Sequence, residues 1–389
     1  MFRRGLTMRF LVMAASLATL TLAMGAGVYV LTQPGEAVEV RASLSVSDAL
    51  ILDGSGFEFA TGPRGFVFPE DHGPHPEYAL EWWYYTGNLK TSEGRRFGYE
   101  LTFFRRGVGT GGAARSSEWA TEQIYFAHFA LTDVENDEFY AFERFSRDAL
   151  GLAGAAGSPF RVWIEDWSAS GGDNGVLPMR LSASDDGVEI ALALEREKGI
   201  VLHGEGGFAR KGSRPGEASY YYSMTRMPTT GVVSVEGRSH SVSGLSWLDR
   251  EWSSAQLSDD HVGWDWFALQ LSDGRDIMYY QLRPRNGEAN DFDLGTLVAV
   301  DGSYFPLNAN DVSIEVLDQW QSPLGGTYPS RWRFRIPSEG LDIEITPYIS
   351  DQELDTVVRY WEGAVQIEGT ADGQPVEGSG YVELTGYAE

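Results

Sequence analysis

Three short segments carry acidic and aromatic side chains at spacings suited to proton chemistry. In Trp247-Leu-Asp249-Arg-Glu251-Trp252, the two-residue period of an extended chain puts Trp247, Asp249 and Glu251 on one face. Two neighbouring carboxyls repel, which raises one pKa, and an apolar wall raises it further. A carboxylic acid still protonated near neutral pH is what proton delivery to a weakly basic carbon requires. Facing water, the same pair would be ordinary solvated charges. In His261-Val-Gly-Trp264-Asp265-Trp266-Phe267, Asp265 lies between two indoles that share the opposite face. It either joins an acid to rings able to stabilise a cation or caps a turn. In Glu81-Trp82-Trp83-Tyr84-Tyr85, Trp82 and Tyr84 share one face, and Glu81, Trp83 and Tyr85 the other. The Glu81 face could line a cavity with a carboxylate beside indole and phenol rings, or be core aromatics with Glu81 at the rim. His128 alternates with apolar neighbours in Phe126-Ala-His128-Phe129, and Tyr221 in Ser219-Tyr-Tyr-Tyr-Ser223 offers a phenol to orient water. The candidate catalytic set is Asp249, Glu251, Asp265 and His128. The candidate substrate-binding set is Trp82, Trp83, Tyr85, Tyr221, Trp247, Trp264 and Trp266.

Other chemistries find little support. Asp71, His72 and His75 could bind a metal, but Gly73, Pro74 and Pro76 break up the loop that holds them, so no metal is expected. There is no GxSxG elbow, no GxxxxGK[ST] loop and no HExxH. Gly107-Val-Gly-Thr-Gly-Gly has no helix after it, so no nucleotide and no other cofactor is expected. The chain has no cysteine, which removes thiol nucleophiles, thiolate metal sites and disulfides. A net charge of -26 over 389 residues repels phosphate backbones and argues against nucleic acid.

The elements that must position these residues are strands. Past residue 50, period-two segments such as Val188-Glu-Ile-Ala-Leu-Ala-Leu alternate with turn signals at Asp186-Gly187, Asp273-Gly274, Asp301-Gly302 and Asp372-Gly373. An internal repeat is visible. Gly231-Val-Val-Ser-Val-Glu-Gly237 matches Gly363-Ala-Val-Gln-Ile-Glu-Gly369 at an offset of 132. The aromatic hairpins Trp83 to Arg105 and Trp264 to Arg283 match more weakly, at an offset of 180. The expectation is an all-β fold of two tandem β-barrels, residues 50–255 and 256–389. Before them, Arg3, Arg4 and Arg9 precede an uncharged run from Phe10 to Leu31. Residues 1–31 therefore read as a signal peptide or a membrane anchor, with a linker over 32–49. The rest is expected to be exported to the periplasm or another extracytoplasmic space, either released there or anchored to the inner membrane.

Longer motifs carry a resemblance. The run from Phe68 through Asp-His-Gly-Pro-His-Pro to Glu81-Trp-Trp-Tyr-Tyr, then Ala127-His-Phe-Ala, Leu202-His-Gly-Glu-Gly, Tyr220-Tyr-Tyr-Ser, Trp247-Leu-Asp-Arg-Glu-Trp, Gly263-Trp-Asp-Trp-Phe and Tyr360-Trp-Glu-Gly, resembles the carotenoid 1,2-hydratase / AttH family of lipocalin-like proteins. Within it, the chain is similar to the branch labelled predicted secreted hydrolases. The resemblance covers about residues 55–389 and implies two lipocalin-like barrels. It implies three activities to weigh. One is cofactor-free, acid-catalysed hydration of a C=C bond in an isoprenoid or lipid. The second is non-catalytic carriage of an apolar ligand as an accessory of an ABC-transporter permease. The third is secreted hydrolysis. The His-x-Trp and Tyr-x-Asp pairs of the hydratases have only nearby analogues here, Trp247-Leu-Asp249 and Trp264-Asp265-Trp266.

Overall fold

The computed structural model describes residues 54, 56–109, 122–172, 175–255, 257, 260–287 and 290–388. The expected N-terminal segment and linker lie outside them. Among the described residues no helix is long and apolar enough to cross a membrane.

The fold is all-β. The first sheet contains β1 (Leu80–Lys90), β2 (Arg96–Gly107), β3 (Gln123–Asp133), β4 (Glu138–Arg147), β5 (Ala153–Gly157), β6 (Phe160–Ile164), β7 (Trp167–Ser170), β8 (Met179–Asp185), β9 (Val188–Leu194), β10 (Val201–Leu202), β11 (Phe208–Arg210), β12 (Ala218–Val235) and β13 (Arg238–Ala255). The second contains β14 (His261–Leu271), β15 (Asp276–Pro284), β16 (Leu294–Val298), β17 (Tyr304–Asn308), β18 (Ser313–Gln321), β19 (Thr327–Ile336), β20 (Leu341–Pro347), β21 (Glu353–Leu354), β22 (Tyr360–Ala371) and β23 (Gln374–Leu384). The first sheet runs β4-β3-β2-β1-β13-β12-β9-β8-β7-β6-β5 and curls into a nearly closed barrel. The second runs β17-β16-β15-β14-β23-β22-β20-β19-β18 and forms a half-barrel. Both share one central order: β2-β1-β13-β12 in the first corresponds to β15-β14-β23-β22 in the second. The matching hairpins of the sequence repeat are thus the same structural unit, built twice.

Turn chemistry fixes the registers. Asp186-Gly187, Glu236-Gly237 and Asp372-Gly373 have positive φ at both positions, the conformation of a tight two-residue hairpin. At Asp273-Gly274 and Asp301-Gly302 only the glycine does.

Each barrel has its own core. Trp83, Tyr85, Phe103, Phe129, Trp167 and Leu192 fill the first, and Phe267, Tyr279, Trp332, Phe334, Ile343 and Trp361 fill the second. A third cluster lies where the sheets meet and includes Tyr84, Tyr221, Trp247, Trp266, Tyr280 and Tyr381. The approach there is close. A Cβ at Gly98 would stand 2.3 Å from the Ala364 Cβ, so only glycine fits. Polar clamps fix the docking. Buried Asp276 of β15 receives Lys198 Nζ at 2.8 Å, the Thr225 hydroxyl at 3.0 Å and Arg226 Nη2 at 2.6 Å, all from the first unit. Asn88 Nδ2 reaches Gly380 O at 2.9 Å, and the Thr132 hydroxyl reaches Gln352 at 2.7 Å.

Candidate functional site

Register alone assembles one wall of a cleft between the sheets. Across five antiparallel strands, His128, Thr102, Tyr84, Asp249 and Ser223 stand directly opposite one another in a row. Two residues along each strand lies a second row, Phe126, Phe104, Trp82, Glu251 and Tyr221. The alternation of a strand sends both rows to the same side. The facing wall comes from the second sheet, where Glu362, Glu383, Trp266 and Tyr280 form a matching row. Trp264, Leu282, Val358 and Tyr360 complete it. The hollow between the walls, counted to its mouth, holds about 890 Å3 of space not taken by atoms. Four carboxyls line it, Asp249, Glu251, Glu362 and Glu383, together with one ammonium, that of Lys211.

Asp249 is the most elaborately held. Tyr221 donates its hydroxyl to Oδ2 at 2.5 Å, Trp247 Nε1 donates to Oδ1 at 2.6 Å, and the Ser223 hydroxyl donates to Oδ1 as well. Burial pushes the carboxyl up to about 7, against these three hydrogen bonds, and neighbouring Glu251 adds to the rise. Behind Ser223 stands His203, with Nε2 at 2.6 Å from the Ser223 hydroxyl and Nδ1 at 2.8 Å from Thr296 Oγ1 of the second sheet. Burial lowers the His203 pKa to about 3, so the ring is neutral. Because Ser223 donates to Asp249, the ring must carry its proton on Nε2 and accept from Thr296 on Nδ1. On the other side, Trp266 Nε1 donates to the Tyr221 oxygen at 3.1 Å. Burial raises the Tyr221 phenol well above its ordinary range, so it keeps its proton.

The opposite wall is acidic too. Burial pushes Glu383 up to about 8, opposed by the Trp264 indole and Lys211 and reinforced by Asp249 and Glu251. Glu362 is raised well above the usual range by burial, then by Glu383 and Glu100, although Tyr84 donates to its Oε2 at 2.8 Å. Lys211 pairs with Glu251 and sits 5.7 Å from the Trp82 ring centroid and 5.5 Å from that of Tyr280. His128 shares a 2.6 Å hydrogen bond with the Tyr360 hydroxyl through Nδ1 and contacts Glu143 through Nε2 at 3.3 Å.

The structure thus brings together Trp82, His128, Tyr221, Asp249, Glu251, Trp264 and Trp266 on the cleft. Trp247 lies just behind it, bonded to Asp249. Three expected residues lie elsewhere. Trp83 and Tyr85 point into the first barrel, where the Trp83 ring lies 4.0 Å from the Arg250 guanidinium and Tyr85 reaches Met179 Sδ at 3.7 Å. Both faces of β1 are apolar, one toward the barrel core and one toward the second sheet, so the alternation alone could not say which was the cleft. Asp265 points away from the cleft and pairs with Arg283 and with the Tyr387 hydroxyl, 3.0 Å from each oxygen. Glu81 is likewise structural. Burial would raise it, but Arg105 and Arg250 outweigh that and hold it low. Asp71, His72 and His75 are engaged with Arg64, Tyr222 and Trp252. Among the described residues no group of three or more acidic or histidine side chains is placed to hold a metal.

Known proteins share this fold. Residues 60–387 match the family described as AttH-like. The chain belongs to the AttH-like family. A crystal structure of a protein described as AttH from Nitrosomonas europaea shares 32% identity and a TM-score of 0.75, over 85% of this chain and all of that one. Kievitone hydratase from Nectria haematococca shares the fold at 16% identity and a TM-score of 0.64, over 85% of this chain and 98% of that one. Among curated proteins there is no match.

Proposed function

We propose that this AttH-like protein is a cofactor-free hydratase that adds water across a C=C bond of an apolar isoprenoid or lipid held between the two sheets. The observation that carries the reading is a carboxyl, Asp249, set into an aromatic cleft and aligned by Tyr221, Trp247 and Ser223. Its pKa near 7 leaves a large share protonated at neutral pH. Asp249, directly or through the Tyr221 hydroxyl, gives its proton to the less substituted alkene carbon. The cation then forms on the more substituted carbon, facing Trp82, Trp264, Trp266 and Tyr280. A water held beside Glu251 adds to it. The surplus proton of that water passes to the Glu251 carboxylate, which Lys211 pairs, and returns to Asp249, so the net change is one H and one OH. Likeness to kievitone hydratase supports the fold on which such chemistry can be mounted, and no more.

The test is mass spectrometry of a panel of terminal isoprenoid alkenes incubated with the protein in H2(18)O. The expected product is heavier by one labelled water, and Asp249→Asn lowers its rate by about 10²–10⁴-fold. Alkenes recovered unchanged from the wild type would point instead to carriage of the same ligands.

A further inference from the structure

We infer that the cleft also binds organic ammonium groups on an apolar chain, seated between Glu362, Glu383 and the indole and phenol rings. The inference rests on the cleft of the preceding section but not on its hydration chemistry.

Charge points to such a ligand first. Four carboxyls line the cleft against one ammonium, and that one, Lys211, is committed to Glu251. Glu362 is fully buried and faces the hollow, yet its Oε1 has no hydrogen-bond partner. Fully buried Glu100 of β2 lies behind it, and neither of its oxygens makes a hydrogen bond of ordinary geometry. The Tyr381 hydroxyl is also unpartnered. Buried carboxyl oxygens without donors are costly, and a cation is the partner that serves several at once. The groups around Glu362 give it no cation of its own: Tyr84, Glu100, Tyr360, Tyr381 and Glu383 surround it. Lys211, paired with Glu251, acts on Glu383, which also feels Asp249 and Glu251.

Lys211 itself shows the shape of the seat. Its ammonium lies between the Trp82 and Tyr280 rings beside a carboxylate, so the cleft already contains one aromatic and acidic ammonium site. In the second sheet the row continues from Tyr280 through Trp266 and Glu383 to Glu362, with Trp264 hydrogen-bonded to Glu383, so aromatic rings and carboxyls also stand together at the Glu362 end. The remaining lining, Phe104, Phe126, Leu257, Leu282 and Val358, is apolar and suits the chain that would carry the charge. Seating a cation stabilises the ionised carboxylates, so a proton leaves as the ligand enters.

The experiment is isothermal titration calorimetry of the full-length chain at pH 7. Dodecyltrimethylammonium is compared with dodecanol and dodecyl sulfate, each below its micelle concentration, in phosphate and in Tris. The ammonium should bind at least about tenfold tighter than the alcohol, and the difference in heat between buffers should report about one proton released. Glu362→Gln should remove most of that preference and lower the proton release. Equal or tighter binding of the alcohol or the sulfate, or no proton release by the wild type, overturns the inference. Neither result depends on turnover. Hydration without ammonium binding would sink this inference alone, and ammonium binding without hydration would sink the preceding one alone.

Discussion

Replacing Glu383 by Gln should flatten the dependence of stability on pH. In the folded chain burial pushes the Glu383 carboxyl up to about 8, from an ordinary value of 4.5. Between those values the folded protein holds a proton that the unfolded chain has released. Stability from this group is therefore complete below about pH 4.5 and is lost as the pH rises through about 8. At about 1.4 kcal/mol per pH unit, the gap is worth up to about 5 kcal/mol. Relaxation of the cleft and the nearby Lys211 ammonium should reduce the measured loss to about half of that. The substituted glutamine keeps the shape and carries no proton to lose. Urea denaturation of the wild type and Glu383→Gln at intervals from pH 5 to pH 9 measures the effect. The two midpoints should diverge as pH rises, the variant becoming the more stable, and the divergence should level off above about pH 8. A constant offset across the range would refute the reasoning, because it would mean that Glu383 titrates alike in both states.

Two further perturbations probe the frame that brings the walls together. Asp276→Ala strands Lys198 and Arg226 in a buried site and should cost about 3–5 kcal/mol by urea denaturation at neutral pH, whereas a loss under about 1 kcal/mol would mean the clamp is not formed. Gly98→Val should cost about 1–3 kcal/mol by the same measurement, because its side chain meets Ala364 of the second sheet, and a neutral outcome would mean the sheets are not in contact there.

Much of the frame was legible in the chain. The Asp-Gly turns, the period-two segments and the offset of 132 between the Gly231–Gly237 and Gly363–Gly369 segments predict two related β units. These segments fall on the corresponding strands β12 and β22, although the turns that close the two hairpins, Glu236-Gly237 and Asp372-Gly373, are offset by 136. The two faces of Trp82-Trp83-Tyr84-Tyr85 also divide as the alternation requires. What alternation lacks is the identity of the neighbour. β1 is packed on both sides, so Trp83 and Tyr85 look as fit for a cleft as Trp82 and Tyr84 do. The same limit hid the second wall. Glu362 and Glu383 lie on strands that meet Asp249 only through docking of the sheets, and no local spacing encodes that approach. A signal was nonetheless present: Glu362 immediately precedes the repeated Gly363 hairpin, and Lys211 is one of three lysines in the chain. His203 follows the short strand β10, and only antiparallel pairing of β10 with β12 brings it to Ser223. Asp265 failed as a cleft acid because Arg283, on the paired strand β15, and Tyr387 claim it from the other face.

Asp249 stands in the cleft as an acid still partly protonated at neutral pH, and the proposed chemistry depends on that proton. Carboxyl 13C shifts of the chain labelled at aspartate, followed from pH 4 to pH 9, test it most directly. Burial raises Asp293 to about 7 as well, so the expected result is that, of the resonances titrating near pH 7, one disappears in Asp249→Asn and the other stays. An Asp249 resonance that completes its titration below about pH 5 would contradict it.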